Sequence, residues 1–285
     1  MTDHIGARGP EFRVGSVIGR AIAVYFGNFV PILIISVIAY LPLIVLSVLF
    51  AASAPNFDAM AQGQVPMDAV AIVGVVLFVV AAVVGWNWLS AGVTYGVIAA
   101  MRQGRINLSE ALGTSLRAVL PLIGLGAIAI LIFALLMLLN FIPIAGTIAF
   151  FVLGVFLVVR WWVVIPAIVV ERLGPIAGLG RASALSKGNF WKILAVVVLW
   201  GVAAMIVAMV VQFAMLAIAG VPLDLQGTES LAHEAASGNW LVEIVSGVIN
   251  MILVGLGASV VAVGYHDLRI AREGGDTEQI ARAFD

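Results

Sequence analysis

Five stretches of this chain contain no Asp, Glu, Lys or Arg: residues 21–57, 69–101, 118–159, 193–223 and 244–266. A helix of about 20 apolar residues crosses a hydrocarbon layer of about 30 Å. Four of the stretches supply one span each. The fifth, 118–159, is long enough for two, with Asn140, Pro143 and Gly146 marking a tight turn between them. Six transmembrane helices are predicted, near 29–51, 69–90, 118–140, 144–165, 193–219 and 242–264. The runs are continuously apolar rather than alternating, which disfavours a β-barrel. The expected fold class is an all-α integral membrane protein, a single transmembrane domain over 1–285.

Composition agrees. The chain is 63% apolar and 10% charged, against about 25% charged in ordinary soluble domains. Too few charges remain to cover a soluble surface. A soluble globular enzyme, a disordered chain and a nucleic-acid binder with a basic face are all excluded on this ground. There are no cysteines, so disulfides, thiolate metal sites and cysteine nucleophiles do not arise. The first apolar run is too long for a signal-peptide core and lacks a small-residue cleavage site, so the amino terminus is expected to stay uncleaved.

Charge placement sets the expected orientation. Basic residues stay on the cytoplasmic side of a membrane. Arg8, Arg13 and Arg20 precede the first span, and Arg102, Arg105 and Arg117 lie between the second and third. Arg172, Arg181, Lys187 and Lys192 lie between the fourth and fifth, and Arg269, Arg272 and Arg282 follow the sixth. The other connections, 52–68 and 220–241, hold only acidic charges. Thirteen of the fourteen basic residues fall on one side, Arg160 being the exception. Both termini, including the tail 266–285, are expected in the cytoplasm of a cell whose inner membrane holds the chain.

The sequence also repeats. GRAIAVYFGNFVPIL at 19–33 and GRASALSKGNFWKIL at 180–194 match at nine of fifteen positions. A weaker third copy begins at Glu110, placing Pro121 on Pro31. The unit ends agree too: Tyr95 followed by Arg102-Gln103-Gly104, Tyr265 followed by Arg272-Glu273-Gly274, and Arg172-Leu173-Gly174. Three parallel units follow, about 12–104, 105–174 and 175–275. Each is a hairpin of two spans led by a short amphipathic helix. In the middle unit Leu108, Leu112, Leu116 and Val119 form an apolar stripe opposite Asn107, Glu110, Thr114 and Arg117, with Asn107 and Glu110 placed for a capping box. In the first, Ile18, Ile22, Tyr25 and Phe29 oppose Arg13, Ser16, Arg20 and Gly27. Such helices lie in the headgroup plane with the apolar face down, or pack against one another beneath the bundle.

Candidate sites are few. Arg20, Arg102, Arg117, Arg172, Arg181, Lys187 and Arg272 recur at unit boundaries and are candidate contacts for anionic phospholipid headgroups. Arg160, Asn87 and Asn250 are candidate intramembrane polar residues. Arg160 has three readings: a side chain snorkelling to the interface beside Trp161 and Trp162, a substrate-binding arginine in the membrane, or one half of a structural ion pair. Glu171, three turns on and beyond Pro166, is not its expected partner. Asn87, Asn140, Gln212 and Asn250 more commonly join helices in lipid than bind a substrate. His233-Glu234, with Asp224 and Glu229, lacks the spacing of a metal site and reads as an outer loop with a short helix near 229–237. Asp276 is placed to cap a short tail helix. No catalytic residue, metal, cofactor or phosphate loop is expected.

Ile165-Pro166 leading to Glu171-Arg172, Gly180-Arg181-Ala182-Ser183, Gly188-Asn189-Phe190-Trp191 and Tyr265-His266-Asp267-Leu268-Arg269 through Glu273-Gly274 resemble the membrane-domain family named after glycerophosphoryl diester phosphodiesterase. The resemblance covers roughly 12–280. Some members of that family carry a fused catalytic barrel; no segment here is long or polar enough to hold one. The resemblance implies a stand-alone membrane protein without enzymatic activity, a scaffold or accessory in lipid or envelope processes whose partner is the bilayer. The alternative is a small-molecule or lipid transporter or channel lined by Arg160, Asn87 and Asn250.

Overall fold

The computed structural model describes residues 12–51, 69–142, 144–218 and 240–273. The expected outer helix near 229–237, the His233 cluster, the Asp276 cap and Pro143 lie outside these residues. Among the described residues the chain is helical, with no strand. The helices are α1 (Val14–Gly27), α2 (Phe29–Ala51), α3 (Ala69–Gln103), α4 (Leu108–Met137), α5 (Ala145–Arg160), α6 (Val164–Glu171), α7 (Pro175–Ser186), α8 (Phe190–Ile218) and α9 (Trp240–Glu273). A 3₁₀ turn, Leu138–Phe141, follows α4.

Four segments are long and apolar enough to cross a membrane: Leu108–Phe141, Ala145–Glu171, Phe190–Val211 and Gly247–Glu273. The pair Val14–Gly27 and Phe29–Pro42, bent by 82°, makes a fifth if counted as one span. Among the described residues the protein is therefore all-helical, with the helices of a membrane protein.

Helix boundaries follow local chemistry. Asn107 caps α4 by accepting the Glu110 backbone N–H at 3.4 Å. The reciprocal half of the expected capping box is absent, because the Glu110 carboxylate accepts the Tyr95 hydroxyl instead. The expected middle lead helix and third span are one continuous helix, α4. Its 30 residues measure about 45 Å at 1.5 Å each, room for both. The expected fourth span lies within Ala145–Glu171, with the helix interrupted by a turn at Trp161–Val163. Pro166, three residues into α6, has no N–H to continue the ladder back across the break. The turn near 140–146 forms: Ile144 takes φ 61°, and the Gly146 N–H donates to the Ile142 carbonyl at 2.9 Å. A Cβ on Gly146 would overlap the Leu139 carbonyl, so only glycine fits there.

The lead helices show which face is inside. On α1 the buried residues are Val17, Ala21 and Tyr25, on α4 they include Ala111, Ser115 and Leu122, and on α7 they include Gly178, Ala182 and Ser186. The apolar stripes expected on these helices divide: Tyr25 and Val119 are buried and Ile18, Phe29, Leu108 and Leu112 half-buried, while Ile22 is 40% exposed and Leu116 54%. In lipid, large apolar groups gain little from leaving an apolar solvent, whereas small residues let backbones approach closely. The inner stripe mixes small residues, Ala21, Ala111 and Ala182, with large ones, Tyr25, Leu122 and Leu185. α1 packs on α9, α4 on α3 and α7 on α6. Each lead helix thus lies on the helix closing the preceding stretch of chain, and the first lies on the last.

The helix breaks also correspond. α1 and α2 meet at Asn28, and α7 and α8 at Asn189. Each asparagine carbonyl accepts the N–H of a fully buried isoleucine four residues on, Ile32 at 3.2 Å and Ile193 at 2.9 Å.

Candidate functional site

The ends of α3, α6 and α9 meet the lead helices in polar contacts at one register. Arg20 on α1 pairs with Asp267 on α9. Glu110 on α4 accepts the Tyr95 hydroxyl from α3. Arg181 on α7 holds Glu171 of α6 through its Nε, 2.8 Å from both carboxylate oxygens, and also pairs with Glu273 at the end of α9. Tyr265 donates to Glu171 Oε1 at 2.6 Å, and Arg269 Nε donates to Glu273 Oε2 at 2.9 Å.

This last group is a network rather than a set of pairs. Two carboxylates share Arg181, Arg269 and one phenol. Burial pulls the Arg181 pKa down, but hydrogen bonds and attraction from Glu171 and Glu273 outweigh it and hold the guanidinium charged. Burial raises the Glu273 carboxyl, and Arg269 with Arg181 reverses that, leaving it below its ordinary range. The Glu110 hydrogen bond, then burial, raise the Tyr95 phenol above its usual value. Such a network stitches helix ends together. Among the described residues no group of three His, Cys, Asp or Glu side chains could hold a metal ion.

Beside it lies a cleft of about 140 Å³ between α4 and the end of α6. Its rim carries Thr114, Arg117 and Arg172, and its floor Ala118, Pro121 and Ile168. Arg172 ends α6 in the left-handed conformation, φ 54°, a position that glycine fills more easily. Both arginines are exposed, and among the described residues no carboxylate pairs with either.

The seven basic candidates therefore divide. Arg20 and Arg181 are committed to carboxylates inside the protein. Arg272 donates to the Lys187 backbone carbonyl. Arg102 and the Lys187 side chain are exposed and unpaired among the described residues. Arg117 and Arg172 line one cleft.

The intramembrane candidates are not brought into one polar site. Arg160 ends α5, half-buried beside the Trp161–Val163 break. Asn87 turns back on its own helix, donating to the Val83 carbonyl at 2.7 Å. Asn250 is exposed on α9. No hydrogen bond or ion pair joins the three. The Gln212 side chain lies outside the described residues, and Asn140 donates to the Met137 carbonyl within the turn.

The pairing roles of Glu110, Asp267 and Glu273 were not anticipated from sequence. The signal was present: Tyr95 and Tyr265 occupy equivalent places, and Arg20, Glu110 and Arg181 share one register. No family model matches the chain, and no curated protein or solved structure is similar to it.

Proposed function

We propose that this chain is a non-catalytic multi-pass scaffold or accessory protein of the cell inner membrane, working in lipid or envelope processes. Its partner is the bilayer, through a cationic cytoplasmic collar that touches anionic headgroups. Six spans form three parallel hairpins, with both termini cytoplasmic.

The observation that carries this reading is the register of charge and burial. Ala21, Ala111 and Ala182 are all fully buried; Tyr25, Ser115 and Ser186 are buried; Ile32, Leu122 and Ile193 are buried. Each trio is one position of the three aligned units. The collar sits where these units close on one another, and Arg102, Arg105 and Lys187 are left exposed there. Each basic residue near an anionic surface adds about 1 kcal/mol of attraction. The likeness of the motifs to the glycerophosphoryl diester phosphodiesterase membrane-domain family supports a stand-alone, non-enzymatic role in the same sense.

Replacing Arg102, Arg105 and Lys187 together by glutamine is expected to lower the anionic phospholipid that co-purifies with the protein. Unchanged lipid content would overturn the collar. A transporter lined by Arg160, Asn87 and Asn250 gains no support from their positions, since no polar contact joins them.

A further inference from the structure

The register of the three units makes the cleft informative. Arg102, Arg172 and Arg272 occupy the same place at the ends of the three units. In the third unit the lead helix stops before Asn189, which frees the Lys187 carbonyl, and Arg272 donates to it. In the middle unit α4 runs unbroken through the equivalent residues. The Leu116 carbonyl, in the place of Lys187, is engaged in the helix ladder, whereas Pro121, having no N–H, leaves the Arg117 carbonyl without its usual donor; among the described residues no hydrogen bond runs from Arg172 to either. The place equivalent to Gly188 is taken by Arg117, a second cation. The middle unit thus lacks the contact that Arg272 makes to Lys187 and has gained a positive charge at the same spot.

Two guanidiniums and a hydroxyl, Arg117, Arg172 and Thr114, rim a small cleft whose floor is apolar. Guanidiniums bind phosphate oxygens through paired, charge-assisted hydrogen bonds. The apolar floor of Ala118, Pro121 and Ile168 suits the glycerol and first acyl carbons rather than a hydrated inorganic ion. α4 and α6 both belong to segments apolar enough to cross a membrane, and Leu116 and Leu120 project from α4 to the outside. A lipid could therefore reach the cleft along the α4 surface.

We propose that the cleft between α4 and α6 binds the phosphate of one anionic phospholipid, held by Arg117 and Arg172. The proposal rests on reading the basic collar as the headgroup-facing side. It adds a defined, single-lipid site to a diffuse electrostatic surface.

Native mass spectrometry of the detergent-purified full chain tests it, with dihexanoyl-phosphatidylglycerol, dihexanoyl-phosphatidylcholine and inorganic phosphate as probes. The wild type is expected to take up a first phosphatidylglycerol at about tenfold lower concentration than phosphatidylcholine, and inorganic phosphate is expected to displace it poorly. R117Q/R172Q is expected to lose that preference by about tenfold, whereas R117K/R172K keeps most of the charge and part of the preference. The collar variant R102Q/R105Q/K187Q is expected to keep first-lipid binding. Equal affinity of the wild type for the two lipids would overturn the proposal without any variant having to fold. So would unchanged binding in R117Q/R172Q, or displacement by phosphate at matching concentration, which would assign the cleft to a soluble anion. Failure of the collar reading shows separately, as unchanged bulk anionic lipid in the collar variant with the first-lipid preference intact.

Discussion

The middle and last lead helices are built on one register and end differently. α7 stops at Ser186, and Asn189 starts α8 afresh; α4 passes the same point without a break. Where the helix breaks, a backbone carbonyl satisfies the arginine closing the unit. Where it continues, that arginine is left to face solvent or a ligand beside Arg117. In the proposed repeat, units keep a common packing stripe while one of them gives up an internal contact. The stripe is what the fold needs, and the helix end is free to vary.

If the stripe is shared, crowding it should hurt all three units alike. Ala21→Leu, Ala111→Leu and Ala182→Leu each force a larger side chain into a fully buried position, and each is expected to cost about 1–3 kcal/mol. Thermal unfolding in detergent measures this. A loss at only one of the three positions would break the equivalence of the units.

A smaller effect comes from the polar contacts at the ends. Arg181→Ala strips the bidentate partner from a partly buried Glu171 and one partner from Glu273. It is expected to cost about 1–2 kcal/mol after allowing for partial solvent screening. Arg20→Ala removes an arginine 48% exposed but leaves Asp267, 11% exposed, without its partner, and is expected to cost a similar amount. The same melting experiment checks both, and no loss at Arg20 would show that Asp267 does not depend on its partner.

The smallest effect is on pH dependence. Glu273 is held below its ordinary range in the folded chain. Its contribution is present above its unfolded pKa near 4.5 and is lost as pH falls through the lower folded value. Between neutral pH and about 5 the Glu273→Gln and wild-type melting curves should therefore run parallel. They should converge only in more acidic buffer. Convergence already near neutral pH would contradict the Arg181 and Arg269 pairing.

Much of this was legible from residues alone. The charge-free runs located the apolar helices, since in a bilayer every backbone group must be satisfied within the segment. Gly27-Asn28-Phe29 and Gly188-Asn189-Phe190 match each other in sequence, though they were not legible as helix breaks, and Asn107 marked a cap. What was only half legible was which residues each lead helix buries: Tyr25 and Val119 of the expected stripes are inside, but Ile22 and Leu116 are outside and Ala21 with Ala111 turns inward, because lipid leaves large apolar groups stable on the outer face. The turn at Trp161–Val163 ahead of Pro166 was not read from the sequence, because it lies inside a segment that is apolar enough to be one span. The cleft was missed because Arg117 and Arg172 lie 55 residues apart, and only the packing of α4 on α6 joins them.

The central claim is a chain threaded through a membrane with its cationic ends on one face. The absence of native cysteine allows clean single-cysteine labelling in oriented vesicles with a membrane-impermeant maleimide. Gly104→Cys and Lys187→Cys should label only from the cytoplasmic side, and Ser53→Cys and Ser237→Cys only from the opposite side. Labelling of position 104 or 187 from the outer face would contradict the account.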